Sequence, residues 1–209
     1  MNVQLFVPCF VDQLYPQVAF NTIKVLEKAG CTVHYNPSQT CCGQPAFNAG
    51  FWSEAKDVCT KFVQDFEGAE YIVTPSASCT GFVRNNYNTL FENNAFQSQA
   101  KKATSNMFEL TEFLVKIMKV EDLGASFNGK VTYHDSCAGL RECKIKTEPR
   151  SLLNNVKGLE LVEMEHTDTC CGFGGSFAVK FDTISVAMAD QIAHGLNAAC
   201  LKMVIRQAE

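Results

Sequence analysis

Short apolar, β-prone runs alternate with amphipathic stretches along the chain. Val3 to Val7 is the first run, and Pro8 closes it, which places Cys9 just past the carboxyl end of a strand. Tyr15 to Ala29 carries apolar residues at Val18, Ile23, Val25, Leu26 and Ala29, a helical spacing that Gly30 stops. Cys31 to Tyr35 reads as a second strand, turned at Pro37. Asn48 to Phe66 repeats the helical spacing at Ala55, Val58, Cys59, Phe62 and Phe66. Tyr71 to Thr74 is a third strand broken by Pro75, and Cys79 falls in the loop that follows. Strands alternating with helices imply a parallel sheet with right-handed crossovers. Ligands collect outside the carboxyl ends of such strands, so Cys9, Cys41, Cys42 and Cys79 are expected to converge.

Residues from about 85 to 129 read as helical and polar-rich, with a helix from Leu110 to Lys119 and no cysteine. The pattern then restarts. Lys130 to His134 is a strand leading to Cys137, a helix covers Pro149 to Val156, and Leu159 to Val162 is a strand. Phe181 to Cys200 is the closing helix. The expected architecture is α/β, with two pseudo-equivalent Rossmann-like halves that have parallel sheets and cysteines in loops at strand carboxyl ends. The organisation is a first repeat at 1–100, a connection at 101–129 and a second repeat at 130–209.

The repeat is carried by thiols. Gln39-Thr40-Cys41-Cys42-Gly43-Gln44-Pro45 returns as Asp168-Thr169-Cys170-Cys171-Gly172-Phe173-Gly174. Cys9 precedes Cys41 by 32 residues, and Cys137 precedes Cys170 by 33. The copies differ beyond the pair: Cys42 to Cys79 spans 37 residues with a strand, whereas Cys171 to Cys200 spans 29 without one. The second copy is expected to be shortened.

Composition narrows the chemistry. With 46% hydrophobic and 19% charged residues in 209, the chain is globular in type. A net charge of −4, with no basic run longer than Lys101-Lys102, argues against nucleic-acid or anionic-membrane surfaces. The start of the chain shows no leader, and no stretch reaches the ~20 apolar residues of a membrane span, so the expected location is the cytoplasm. Eleven cysteines without an export signal point to metal ligation or redox work rather than disulfides. Zinc ordinarily takes paired cysteines two to four residues apart, a knuckle missing from both halves. Adjacent thiols suit a larger iron–sulfur core, and Gly43 and Gly172 let backbone N–H groups approach the sulfurs.

Pro8-Cys9, the two cysteine pairs, Pro75-Ser76-Ala77-Ser78-Cys79 and His134-Asp135-Ser136-Cys137 together resemble the cysteine-rich CCG-domain family. The pattern is most similar to its lactate-utilisation protein A type. Related forms are the iron–sulfur subunits of glycolate oxidase and anaerobic glycerol-3-phosphate dehydrogenase, and the B subunit of heterodisulfide reductase. The resemblance implies an iron–sulfur electron-transfer subunit of a cytoplasmic complex that oxidises L-lactate to pyruvate. It implies one or two 4Fe–4S-type clusters per chain, the first on Cys9, Cys41, Cys42 and Cys79 and the second on Cys137, Cys170, Cys171 and Cys200. The terminal CxxC of the heterodisulfide reductase motif is missing, since Phe82 follows Cys79 and Met203 follows Cys200. Neither a nicotinamide loop nor the ferredoxin run C-x₂-C-x₂-C-x₃-C-P is present. A ferredoxin-type iron–sulfur protein and other complex subunits are therefore expected as partners; the alternative functions are a heterodisulfide-reductase-like subunit with a catalytic cluster, a glycolate or glycerol-3-phosphate oxidation subunit, and a zinc-stabilised interaction module. Cys31 and Cys59 read as core residues, Cys143 and His134 as structural, Trp52 and the phenylalanines as core, and Arg141, Lys144 and Lys146 as a solvated or partner-docking face.

Overall fold

Val3 and Leu5 alternate with Asn2 and Gln4 along β1 (Asn2–Leu5), and both apolar side chains are fully buried. That makes β1 a central strand. The computed structural model describes residues 1–195 and pairs β1 in parallel with β2 (Thr32–Tyr35) and β3 (Ile72–Thr74). A fourth parallel strand, β4 (Met107–Glu109), joins beyond β3 and gives the order β2-β1-β3-β4. Parallel neighbours need long crossovers. These are α1 (Cys9–Leu14) with α2 (Pro16–Lys28), α3 (Gln44–Asn48) with α4 (Trp52–Asp65), and α5 (Ala77–Leu90) with α6 (Gln97–Asn106).

Two apolar clusters cover the two faces of this sheet. Phe6, Ile72 and Met107 pack with Phe62, Phe66, Phe82, Tyr87 and Phe91 on one side. Val3, Leu5 and Val73 pack with Leu26, Phe113 and Leu114 on the other. The alternation follows the pleat, which sends successive side chains to opposite faces. Chain direction reverses its march across the sheet between β1 and β3, so a crevice opens at their carboxyl ends.

The second half is slighter. After α7 (Leu110–Glu112) and a π-helical turn at Phe113–Ile117, β5 (Ser126–Val131) pairs in parallel with β6 (Lys157–Leu161). A second π-helical turn, Ala138–Glu142, and α8 (Thr147–Asn154) form the crossover, and α9 (Ser176–Lys180) and α10 (Asp182–Gly195) follow. Among the described residues this sheet has two strands and no partner matching β3. The halves meet along α5, whose Ala77 carbonyl accepts a hydrogen bond from Cys143 Sγ at 3.3 Å. Lys116 adds an ion pair to Glu148 at 2.8 Å, and Glu148 is buried.

The α/β class and the two parallel-sheet halves agree with the sequence reading, while several details differ. Cys9 opens α1 and Cys79 lies in the first turn of α5, so these strand ends pass almost directly into helices. The helix expected at 48–66 begins only at Trp52, as α4, because Gly50, with a φ of +89°, separates it from the short α3 before it. The helix expected at 110–119 is a short α turn running into a π-helical one. β4 was not expected. It lies within 101–129, is only three residues long, and is followed at once by helix. Trp52 is not core: it is 64% exposed at the start of α4, stacked on Phe47 at 6.2 Å. Phe10, Phe20, Phe51, Phe173 and Phe181 are exposed as well. No helix of the described residues is long and apolar enough to cross a membrane.

Candidate functional site

Three segments deliver the first thiol set. Pro8 caps α1 in an extended conformation, which turns the end of β1 into the helix at Cys9. Ser76 caps α5 and its Oγ accepts from the backbone N–H of Cys79 at 3.3 Å, fixing Cys79 in the opening turn. Between them the cysteine-pair loop is tied to β1 by Gln39. Its Oε1 accepts from the Val7 N–H at 2.7 Å, and its Nε2 donates to the Leu5 carbonyl at 3.2 Å. One side chain thus replaces a missing stretch of strand pairing and draws Cys41 towards Cys9.

Cys9 Sγ lies 3.6 Å from Cys41 Sγ, and Cys42 adjoins both Cys41 and Cys79. Hydrogen bonding from Cys42, helped by the Gly43 N–H and Cys9, lowers the Cys41 thiol to about 6 against the cost of burial. Cys79 is lowered chiefly by Cys42, with further help from Ser76 and Ser78. Cys9 is pushed up to about 11 by desolvation of its sulfur and by Cys41, and Cys42 is raised by its bonds to Cys41 and Cys79. Ionisation is thus eased at Cys41 and Cys79 and opposed at Cys9 and Cys42. A cationic metal core bound there would supply the charge that releases those protons.

This donor set fits an iron–sulfur core. None of the ten cysteines among the described residues is in a disulfide. Among the described residues no group of three or more His, Cys, Asp or Glu side chains is arranged around a single ion. The Gly43 N–H donates to Cys41 Sγ at 3.4 Å, the kind of contact that stabilises anionic sulfur. Gly43 sits at φ +91°, and a Cβ there would lie 2.6 Å from Cys59 Sγ, so glycine is required on both counts. Cys42 and Cys79 are buried, Cys41 is half-buried and Cys9 is exposed, leaving the set open on one side.

The second set is held differently. Cys137 precedes the π-helical turn Ala138–Glu142 and hydrogen-bonds to Cys170, and burial together with Cys170 raises its thiol. The loop carrying Cys170 and Cys171 is pinned at several points. His134 Nε2 donates to the Thr169 carbonyl at 2.7 Å, Arg141 to the Asp168 carbonyl at 3.4 Å, and Ser185 Oγ to the Gly172 carbonyl at 2.9 Å. Beneath it Arg150 grips Asp135 at 2.7 and 3.0 Å and Glu163 at 2.6 and 3.0 Å. Burial opposes ionisation of Asp135, but the Arg150 fork overrides it and lowers the carboxyl. Cys137, Cys170 and Cys171 are all half-buried, and Cys200 lies outside the described residues. The two sets approach one another where Phe10, next to Cys9, packs on Phe173 with centroids 5.7 Å apart.

Gln39, Tyr87 and Arg150 had no role in the sequence reading. Gln39 opens the first cysteine motif at the position where the second copy has Asp168. Tyr87 and Arg150 carry no local signal. Cys31 and Cys59 are buried in the core, Cys59 also donating to the Cys42 carbonyl at 3.4 Å.

Comparison with known proteins gives the same picture. The 45% identity to lactate utilization protein A of Anoxybacillus flavithermus runs over 192 residues, 91% of this chain and 80% of that protein. The protein of the same name from Geobacillus kaustophilus is 44% identical over 191 residues, again 91% and 80%. That of Shouchella clausii is 41% identical over 206 residues, 98% of this chain and 86% of the relative. The cysteine-rich domain profile named CCG matches residues 3–84 and 131–208, one match for each thiol set. The chain belongs to the CCG cysteine-rich domain family.

Proposed function

We propose that this chain is the iron–sulfur electron-transfer subunit of a complex that oxidises L-lactate to pyruvate. The observation that carries the reading is the meeting of Cys9, Cys41, Cys42 and Cys79 from three strand ends. The relatives' shared name, lactate utilization protein A, supports the substrate. An iron–sulfur core bound there supplies one-electron acceptance and release. Cys9, Cys41, Cys42 and Cys79 would hold it at the first site; Cys137, Cys170 and Cys171, with Cys200, would hold another at the second.

The residues around the first set perform three tasks. Cys41 and Cys79 present sulfur already biased towards the thiolate. Buried Cys42 and Cys79, backed by Phe6, Phe62 and Phe82, exclude water from one side. Exposed Cys9 leaves the opposite side open to an electron partner. Removing two electrons and two protons from lactate needs a group that takes the pair at carbon, and the described thiol sites offer single-electron carriage instead. The lactate-oxidising step therefore falls to a partner subunit, and a ferredoxin-type iron–sulfur protein completes the path. Anaerobically reconstituted chain, mixed with its co-purified partners and L-lactate, should show bleaching of its iron–sulfur absorbance. An iron-loaded chain that stays oxidised with L-lactate, yet is reduced when another 2-hydroxy acid is supplied, would move the substrate elsewhere.

A further inference from the structure

Resting on that reading of the first site, we infer that Tyr87 is a positioning residue that sets the reduction potential there by orienting the Cys42–Gly43 peptide. The Tyr87 hydroxyl donates to the Cys42 carbonyl at 2.8 Å. The Cys59 thiol donates to the same oxygen at 3.4 Å. Both donors are fully buried. That carbonyl and the Gly43 N–H belong to one planar peptide unit and point in opposite directions. Fixing the oxygen on the core side therefore aims the N–H outward, where it meets Cys41 Sγ at 3.4 Å.

The clamp is rigid for reasons visible in the packing. Tyr87 lies on α5 eight residues beyond Cys79, ~12 Å along the helix axis. Helical side chains lean towards the amino terminus, so the phenol reaches back to the cysteine pair. Its ring is held edge-on by Phe62 at 5.5 Å and Phe82 at 5.8 Å, with Phe91 at 5.7 Å. One helix thus carries a thiol of the set and the hydroxyl that orients two others. At the second site Ser185 bonds the Gly172 carbonyl, which belongs to the following peptide, so among the described residues this device is seen at the first site alone.

An N–H donated to a cluster sulfur stabilises the reduced, more negative state. Loosening the peptide should lower the potential. Tyr87→Phe keeps the ring and removes only the donor. In the full chain, reconstituted anaerobically and titrated with EPR detection, Tyr87→Phe should retain its iron. The first midpoint should move negative by on the order of tenfold in the reduction equilibrium, about 59 mV for one electron. Cys59→Ala should shift it in the same direction by less, and the second centre should stay put. Unchanged midpoints in both variants at full iron loading would overturn the inference while leaving the iron site intact. Should Tyr87→Phe fail to fold, the Cys59→Ala midpoint decides: a negative shift supports the clamp, no shift overturns it. A parent chain that takes up no iron would remove the reading of the site, and this inference with it.

Discussion

The two thiol sets use the same residues and are supported by opposite means. The first rests on an apolar wall, with Phe6, Phe62, Phe82 and Tyr87 behind Cys42 and Cys79 and a four-stranded sheet beneath. The second rests on charge, with Arg150 holding Asp135 and Glu163 under a loop that leaves all three described cysteines half-buried. Its sheet has two strands among the described residues, too few to be stable without help from neighbours. Apolar support is directional only through shape, whereas the ionic support depends on protonation. The two halves share the cysteine pattern and not the way it is stabilised.

The largest expected effect tests whether the sets are separable. Cys42→Ser should abolish the iron–sulfur signal of the first centre and leave that of the second, read by EPR and iron content. Loss of both signals together would show that the sets act as one. Next is the apolar wall. Phe62→Ala empties a ring packed against Phe6 at 5.0 Å and Tyr87 at 5.5 Å, and should cost ~3–5 kcal/mol in denaturant unfolding. A cost below about 1 kcal/mol would mean that the wall can collapse around the gap.

The ionic counterpart is somewhat smaller. Arg150→Met leaves the buried Asp135 carboxylate without its fork and should cost about 3 kcal/mol near neutral pH. The folded carboxyl titrates below its unfolded value, so its contribution is full above about pH 4 and disappears as pH falls through the folded value. The difference between parent and variant should therefore narrow in acid, and a penalty constant from pH 7 to 3 would exclude this pair as its source. The smallest effect is at the rim. Trp52→Ala removes a largely exposed ring stacked on Phe47 and should change stability by no more than ~0.5 kcal/mol. A cost comparable to Phe62→Ala would show that Trp52 is covered in the working protein.

Much of the first half is legible in the sequence because strand, helix and punctuation agree: Gly30 and Pro75 end the elements they were expected to end, although β1 stops at Leu5, short of Pro8. The thiol pattern is legible because adjacent cysteines followed by glycine are rare and recur at matched spacing. What escaped is non-local. β4 is too short to show a period, and only pairing with β3 makes it a strand. Tyr87 lies 45 residues from the carbonyl it clamps, and Arg150 reaches two acids from different segments. The exposed Trp52 and phenylalanines escaped for another reason, since composition tells how many apolar residues a chain has and not which ones a core can hold.

The most direct test is metal analysis of the anaerobically prepared chain beside Cys41→Ser and Cys42→Ser. Iron with matching sulfide, about four irons per occupied centre, and a clear fall in both variants is the expected outcome. Stoichiometric zinc with no iron, or iron undiminished by either substitution, would contradict it.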